Sequence, residues 1–168
     1  MSANIEFFPG TPLSQADIDE GKVLATQWSP KLDYAWDAGV AISRYLTELK
    51  NGRLIGIRCQ HCRRIVVPPR VVCEWCWEPM DEWVYLEDTG TVNTFSICYI
   101  RWDASRAKDP QIPAVIEIDG ASKDAGILHL LDEVNPEDIK IGMKVKAVWR
   151  PAEERTGSIT DIKHFKPI

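Results

Sequence analysis

The chain has 168 residues, 45% of them hydrophobic and 27% charged, which suits one ordinary domain or two small ones with a real core and excludes a disordered polar chain. Its formal net charge of −5 argues against a surface that binds polyanions as a whole. No apolar run approaches the ~20 residues of a membrane span, and the opening MSANIEFFPG has neither a basic stretch nor an apolar signal core, so export is not expected.

Residues 1–36 read as an N-terminal arm. Ser14, followed by Asp17 and Asp19, predicts a short helix running to Leu24, with its acidic residues at the N-terminal end. Trp28, Tyr34 and Trp36 then stand in a polar, proline-bearing stretch, and aromatics in such a setting must pack on this chain or on another. From Gly39 to Lys50, Ile42, Tyr45, Leu46 and Leu49 recur at helical spacing, and Asn51-Gly52 is a natural stop.

Leu54 to Arg58 predicts a strand entering the first of two cysteine knuckles, and Ile65 to Val67 the strand leaving it; Val71-Val72 leads to the second. The knuckles are Cys59/Cys62 and Cys73/Cys76, in the pattern C-x2-C-x10-C-x2-C. Each turn delivers two soft thiolates, and four thiolates close a tetrahedron around zinc with no position left for water, so the site is architectural. Two disulfides or a redox pair are the competing readings. They are weaker because a redox CxxC opens a helix, whereas these pairs flank a β-prone stretch holding Pro68 and Pro69. The same thiolate set accepts iron, and the sequence does not separate the two metals. His61, inside the first knuckle, is expected to face solvent rather than replace a thiolate.

Around this site lies a basic island: Arg53, Arg58, Arg63, Arg64 and Arg70 occur with no carboxylate before Glu74. A zinc ion held by four thiolates carries a net charge of about −2, and about half of these guanidinium groups are expected to offset it. The others, with Arg63, Arg64 and Arg70 as candidates, are open to a phosphate or a partner surface.

After Met80, short strands separated by turns predict a five-stranded barrel: Trp83 to Ser96 with an extension to Ile100, Ala114 to Asp119, Gly126 to Leu131, Lys144 to Trp149, and Gly157 to Phe165. Asn135 to Ile139 reads as a short helix or turn closing one end, the layout of an OB-fold. The chain is therefore expected to be mainly β with N-terminal helices: an arm (1–36), a helix plus rubredoxin-like zinc ribbon (37–80), and an OB-fold domain (81–168). Cys98, the odd fifth cysteine, lies in a β-prone run and reads as a small core residue. With four cysteines in metal spacing, a reducing compartment and hence the cytoplasm is the expected location.

A catalytic constellation is not evident. There is no G-x-S-x-G, HExxH, P-loop or G-x-G-x-x-G, and His129 and His164 read as satisfied core or surface residues. The segment between the first two barrel strands differs: Arg101, Trp102, Arg106 and Lys108 combine an aromatic with three cations. Beside such an OB-fold loop, a single-stranded nucleic acid would use stacking plus charge, and an acyl-CoA an apolar wall plus cations for its phosphates; a solvated hinge is the third reading.

The chain resembles the DUF35 family, which joins a rubredoxin-like zinc ribbon to an OB-fold. The resemblance rests on Leu46-x-x-x-x-Asn51-Gly52-Arg53-Leu54, Arg58-Cys59-x-x-Cys62, Val67-Pro68-Pro69-Arg70-x-x-Cys73-x-x-Cys76, Gly90-x-Val92 and Ile141-Gly142-Met143-x-Val145. It covers roughly residue 40 to the end. It implies a non-catalytic subunit bound to a thiolase-fold enzyme, helping it hold or pass on acyl-CoA, with the partner supplying the nucleophilic cysteine. Family partners include acetoacetyl-CoA thiolases, steroid side-chain aldolases and thiolases of anaerobic aromatic breakdown such as benzoylsuccinyl-CoA thiolase; the sequence does not choose among them. The arm is longer and more aromatic than the simplest family pattern, which suggests wrapping, with Phe7, Phe8, Trp28 and Trp36 expected at a partner interface. Two other readings compete: a single-stranded nucleic-acid-binding module, disfavoured by the acidic charge, and a free-standing CoA-dependent enzyme using Cys98 with His129.

Overall fold

The computed structural model describes residues 14–22, 31–101 and 103–168. The chain divides into two units, Met1–Trp36 and Asp37–Ile168. In the first, helix α1 (Gln15–Asp19) opens with a reciprocal capping box: the Asp17 N–H donates to Ser14 Oγ (3.3 Å) and the Ser14 N–H to Asp17 Oδ2 (3.0 Å). It is shorter than the sequence suggested, because the chain turns at Glu20 and Gly21, with Gly21 at φ +69°. Trp36 is 87% exposed, its ring 6.3 Å from that of Tyr34. Phe7, Phe8 and Trp28 lie outside the described residues.

The second unit begins with helix α2 (Gly39–Lys50), whose first turn is held by Asp37 Oδ1 accepting the Gly39 N–H at 2.7 Å. Ala41, Tyr45 and Leu49 recur every fourth residue and form its buried stripe. The helix stops at Asn51-Gly52, where Gly52 takes φ +71° and its N–H donates to the Leu49 carbonyl at 2.8 Å. A Cβ at Gly52 would run into the Arg155 guanidinium, so this glycine serves both the turn and a close approach.

Strands β1 (Leu54–Cys59), β2 (Ile65–Val66) and β3 (Met80–Leu86) form an antiparallel sheet in the order β2-β1-β3, with Ile57 opposite Val66 and Leu54 opposite Leu86. The sequence placed the chain after Met80 wholly in the barrel. Instead, the turn at Glu87-Asp88 divides the expected Trp83 to Ser96 segment, and its first half completes the ribbon.

The barrel follows. Strands β4 (Thr89–Phe95), β6 (Arg106–Ile118), β7 (Gly126–Leu131), β8 (Lys144–Trp149) and β9 (Ile162–Pro167) run in the order β4-β8-β9-β7-β6, and pairing of β6 with β4 closes the ring. The β7–β9 pair is parallel and the others antiparallel, the connectivity of an OB-fold. The short strand β5 (Cys98–Ile100) continues the line of β4 along the same edge of β6, with Cys98 opposite Gln111. A 3-10 turn, Pro136–Asp138, stands between β7 and β8 where the sequence suggested a closing insertion. The last barrel strand starts later than the expected Gly157, since residues 156–161 fold around the buried Asp161 carboxylate.

One hydrophobic core serves helix, ribbon and barrel. Tyr45 and Leu49 from α2, and Leu54, Ile55 and Val67 from the ribbon, belong to the same buried cluster as Val92, Ile116, Val145 and Phe165. Each such side chain contributes about 1.5–3 kcal/mol through removal from water. Gly90 explains one sequence signature: a Cβ there would strike the Glu117 carbonyl of β6, while Val92 on the same side of the strand is fully buried. A smaller cluster of Ile57, Cys59, Val66, Cys73 and Met80 underlies the knuckles. No helix among the described residues is long and apolar enough to cross a membrane.

Candidate metal centre and partner surface

The end of β1 and the turn before β2 carry Cys59 and Cys62; the loop between β2 and β3 carries Cys73 and Cys76. Each knuckle repeats one backbone pattern. The Arg63 N–H donates to the Cys59 carbonyl and the Trp77 N–H to the Cys73 carbonyl, both at 2.9 Å. The residue after each second cysteine takes a left-handed conformation, Arg63 at φ 64° and Trp77 at φ 61°. Val72 and Pro79 form a β-bridge that holds the second knuckle closed.

All four sulfurs lie within 4.8 Å of one another. Cys59 and Cys76 are 3.5 Å apart, Cys62 and Cys73 3.6 Å. A disulfide needs about 2.05 Å, whereas thiolates about 2.3 Å from a tetrahedral zinc are about 3.8 Å from each other. The donor set thus fits one metal ion rather than two disulfides. The Cys62 N–H directed at the Cys59 sulfur, more than offsetting burial, holds that thiol down to about 7, whereas at Cys76 the Glu78 N–H is outweighed by burial and the neighbouring cysteine sulfurs, which push that thiol up to about 12. Cys59 and Cys73 are fully buried, Cys62 is exposed, and His61 faces solvent as expected. Cys59, Cys62, Cys73 and Cys76 could together hold one metal ion in a closed set of the structural kind.

The basic island has carboxylate partners that the sequence order hides. Arg58 and Arg63 both approach Glu82 of β3, Arg63 at 3.7 Å. Arg64 Nε donates to Glu74 at 2.9 Å and its Nη1 to the Lys123 carbonyl at 3.1 Å, while its guanidinium stacks 4.3 Å over Trp75. Arg70 faces Glu74 at 3.7 Å, and Arg53 pairs with the buried Glu48 at 2.6 Å. All five guanidinium groups therefore have carboxylates beside them, and the side chain of Arg64 is 9% exposed. Arg63 and Arg70 remain largely open to solvent.

Arg101, Arg106 and Lys108 do not form the expected loop. Strand β6 begins at Arg106, and β5 and β6 make a hairpin whose turn is closed by the Arg101 N–H donating to the Ser105 carbonyl at 2.9 Å. Asp103 Oδ1 accepts from the Ser105 N–H and hydroxyl at 3.0 and 2.6 Å, which hold its carboxyl below the usual range. These turn bonds, invisible in composition, convert a flexible-looking segment into strand. The three cations are exposed and have no salt bridge among the described residues. Trp102 lies outside the described residues.

The histidines and Cys98 find other company. His129 Nδ1 accepts the Leu130 N–H at 2.9 Å, so Nε2 carries the proton and donates to the Ile159 carbonyl at 3.2 Å. Burial holds its pKa below the usual range. The Cys98 sulfur has Ser96 Oγ at 3.5 Å and pairs along one edge of β6 while His129 pairs along the other, and no hydrogen bond joins the two among the described residues. Sequence reasoning missed Asp161, which accepts the N–H groups of Thr156, Gly157 and Ser158 at 2.8–3.1 Å. The signal was Ser158-x-x-Asp161, a capping box. His164, read from the sequence as a satisfied core or surface residue, is buried and held by Glu133 at 3.0 Å, a partner that no local pattern indicated.

Comparison with known proteins agrees with this architecture. Residues 47–81 match the family described as ChsH2, rubredoxin-like zinc ribbon domain, and residues 83–150 that described as ChsH2, C-terminal OB-fold domain. A "DUF35 domain-containing scaffold protein" of Methanocaldococcus jannaschii is 36% identical over 118 residues, 68% of this chain and 82% of the relative. One of the same description from Methanothermobacter thermautotrophicus is 25% identical over 117 residues, covering 68% and 86%. Two solved structures share the fold: a DUF35 protein of unknown function from Sulfolobus solfataricus (TM-score 0.61, 23% identity, 77% of this chain and 87% of that one) and the "Ltp2-ChsH2(DUF35) aldolase" (TM-score 0.57, 21% identity, 80% and 98%). With its four-cysteine ribbon set on an OB barrel and a relative of this similarity over most of its length, the chain belongs to the DUF35 family.

Proposed function

We propose that this chain is a non-catalytic subunit of a thiolase-fold enzyme complex that makes or cleaves carbon–carbon bonds of acyl-CoA substrates, and that its metal is zinc. The coarser role, an accessory subunit of an acyl-CoA-acting complex, is supported by the 36%-identical relative described as a scaffold protein. The structural neighbour described as an aldolase of Ltp2 with ChsH2 supports a hetero-oligomer. The observation that carries the proposal is the closed four-sulfur site on a core shared with the barrel: the metal stiffens a platform and is not offered to a substrate.

On this platform the hairpin cations Arg101, Arg106 and Lys108, with Trp102, are the surface for an anionic ligand, either CoA phosphates or the carboxylates of a partner. Arg63 and Arg70 supply a second exposed cationic surface beside the ribbon, while Arg64 is engaged within the fold. Phe7, Phe8, Trp28 and Trp36 are the arm's contacts with the partner. The nucleic-acid alternative draws less support: the outward side chains paired across β6 and β7 are Pro113 with Leu130 and Val115 with Leu128, which offer no stacking rings.

The test is recovery of the tagged chain from its own cells with co-purifying chains identified, followed by assay of thiolase and aldolase activity with and without it. A stoichiometric thiolase-fold partner that loses activity when this chain is removed supports the proposal. Recovery of the chain alone, or with nucleic acid that high salt strips off, overturns it.

A further inference from the structure

A cleft of about 500 Å³ opens on the barrel between the start of β6, the end of β7 and β9. The insertion expected to close one end of the barrel is only a 3-10 turn, and Val134 and Pro136 give the cleft one wall. The volume is that of a small-molecule site, and barrel mouths are common places for one. Pro110, Ile112 and Leu130 make other parts of the lining apolar. Among the polar lining residues only His164 is buried, its side chain 4% exposed. Glu133 Oε1 stands 3.0 Å from Nε2 of that ring. Lys166, at 2.9 Å, and His164 hold the Glu133 carboxyl below its usual range, so it accepts and the ring proton lies on Nε2. A neutral imidazole then carries its lone pair at Nδ1. No hydrogen bond reaches Nδ1 among the described residues, and Asp132 Oδ2, 3.9 Å away, lines the same cleft. Asp109 lines it from β6 and has no salt bridge among the described residues; the one cation of the lining, Lys163, is exposed.

We infer that this cleft binds a guanidinium group carried on an aliphatic stem, supplied by a free small molecule or by an arginine of the partner subunit. Hydrogen-bond type and shape select it more than net charge does, since Lys163 offsets one of the two carboxylates. The buried lone pair of His164 selects a donor, carboxylates on two segments select several donors fixed in one plane over a point charge, and the apolar lining selects a stem. An anion would meet Asp109, Asp132 and the Nδ1 lone pair, and a quaternary ammonium would leave that lone pair unpaired. Only the second source rests on the accessory-subunit reading above.

The experiment titrates the full, metal-loaded chain with three probes, n-butylguanidinium, n-butyltrimethylammonium and butyrate, and follows the His164 ring and the amides around the cleft by NMR. The variants Asp132→Asn and Asp109→Asn are tested for unchanged melting and metal content and then titrated in the same way. The expected result is saturable shifts with n-butylguanidinium, centred on the cleft, with an affinity about tenfold above either other probe and about tenfold weaker in Asp132→Asn. The comparison of probes on the unaltered chain keeps the outcome readable should a variant fail to fold. Equal binding of n-butyltrimethylammonium reduces the cleft to general charge attraction, tighter binding of butyrate makes it an anion site, and absence of saturable binding leaves no site; each overturns the inference. The same titration of the complex recovered with the tagged chain separates the sources: a probe shut out of the cleft assigns it to an arginine of the partner, and a probe still bound assigns it to a free small molecule. If no partner is recovered, the accessory-subunit reading fails while the titration of the chain alone still decides the cleft.

Discussion

Ser122 and Ile65 grip each other twice: the Ser122 N–H donates to the Ile65 carbonyl, and the Ile65 N–H to Ser122 Oγ, both at 2.9 Å. Ile65 starts the ribbon's β2 and Ser122 lies in the turn between β6 and β7 of the barrel, so this clasp ties the two parts where the sheets do not pair. Ser122→Ala removes one partner and leaves a half-buried N–H unsatisfied. The expected cost is about 1–2 kcal/mol in denaturant unfolding, with faster amide exchange at Ile65 and Val66 than in the barrel strands. Unchanged stability and exchange would show the clasp to be incidental.

Removal of the metal should not stay local. Leu54, Ile55 and Val67 belong to the barrel's core cluster although the ribbon positions them. Loss of the metal knot frees the ribbon ends and exposes part of that cluster, several kcal/mol at about 1.5–3 kcal/mol for each side chain. Chelation, or Cys59→Ser, is expected to lower the melting midpoint of the whole 37–168 unit by roughly 10 °C. A ribbon transition separate from an unmoved barrel transition would count against one shared core.

Tyr45 offers the opposite sign. Its ring is buried at 3% exposure, and its hydroxyl has no hydrogen-bond partner among the described residues. Burial accordingly drives its pKa up. Tyr45→Phe keeps the ring and removes an unsatisfied polar atom, so stability is expected to rise by about 1 kcal/mol. A loss of similar size in urea unfolding would mean that the hydroxyl has a partner in solution.

The acid limb of stability should carry a contribution from Asp161. Burial alone would raise its carboxyl pKa, but the Thr156, Gly157 and Ser158 N–H groups outweigh that and hold it below the unfolded value. A group with a lowered folded pKa adds stability that is present above its unfolded pKa and disappears as the pH falls through the folded one. Asp161→Asn is therefore expected to cost about 1–3 kcal/mol near neutral pH and to flatten the fall in stability below the ordinary aspartate pKa of about 4. A variant whose loss is as large at low pH as at pH 7 would place the effect in packing instead of charge.

The legible and illegible features divide by range along the chain. Helix α2, the two knuckles and the order of the barrel strands were readable because helical spacing, C-x2-C turns and alternation are local signals. The carboxylate partners of the arginines were not, since Glu82 reaches Arg58 and Arg63 only across the β1–β3 pairing. The split of Trp83 to Ser96 into two sheets was hidden for a related reason: each half alternates acceptably, and only the closure of β4 on both β6 and β8 decides where the barrel begins. The hairpin at Arg101 to Lys108 was masked by its own polarity, which reads as loop until the Asp103–Ser105 bonds order the turn.

Trp77 bears on how the ribbon meets other molecules. It holds φ 61°, a conformation that is costly for a bulky side chain, yet it is 79% exposed and belongs to neither core cluster. Its knuckle counterpart, Arg63, shares the strain at φ 64° and is also exposed. Glycine suits such a position, so Trp77→Gly is expected to leave metal content unchanged and to raise stability by roughly 1 kcal/mol. If the indole is retained for contact with the partner subunit, the same variant binds that partner more weakly despite its firmer fold, because an exposed tryptophan removed from an interface costs affinity and nothing else. Thermal melts and partner titrations on the one variant separate these effects: a lower melting temperature assigns Trp77 to the ribbon's own stability, and unaltered affinity removes it from the interface.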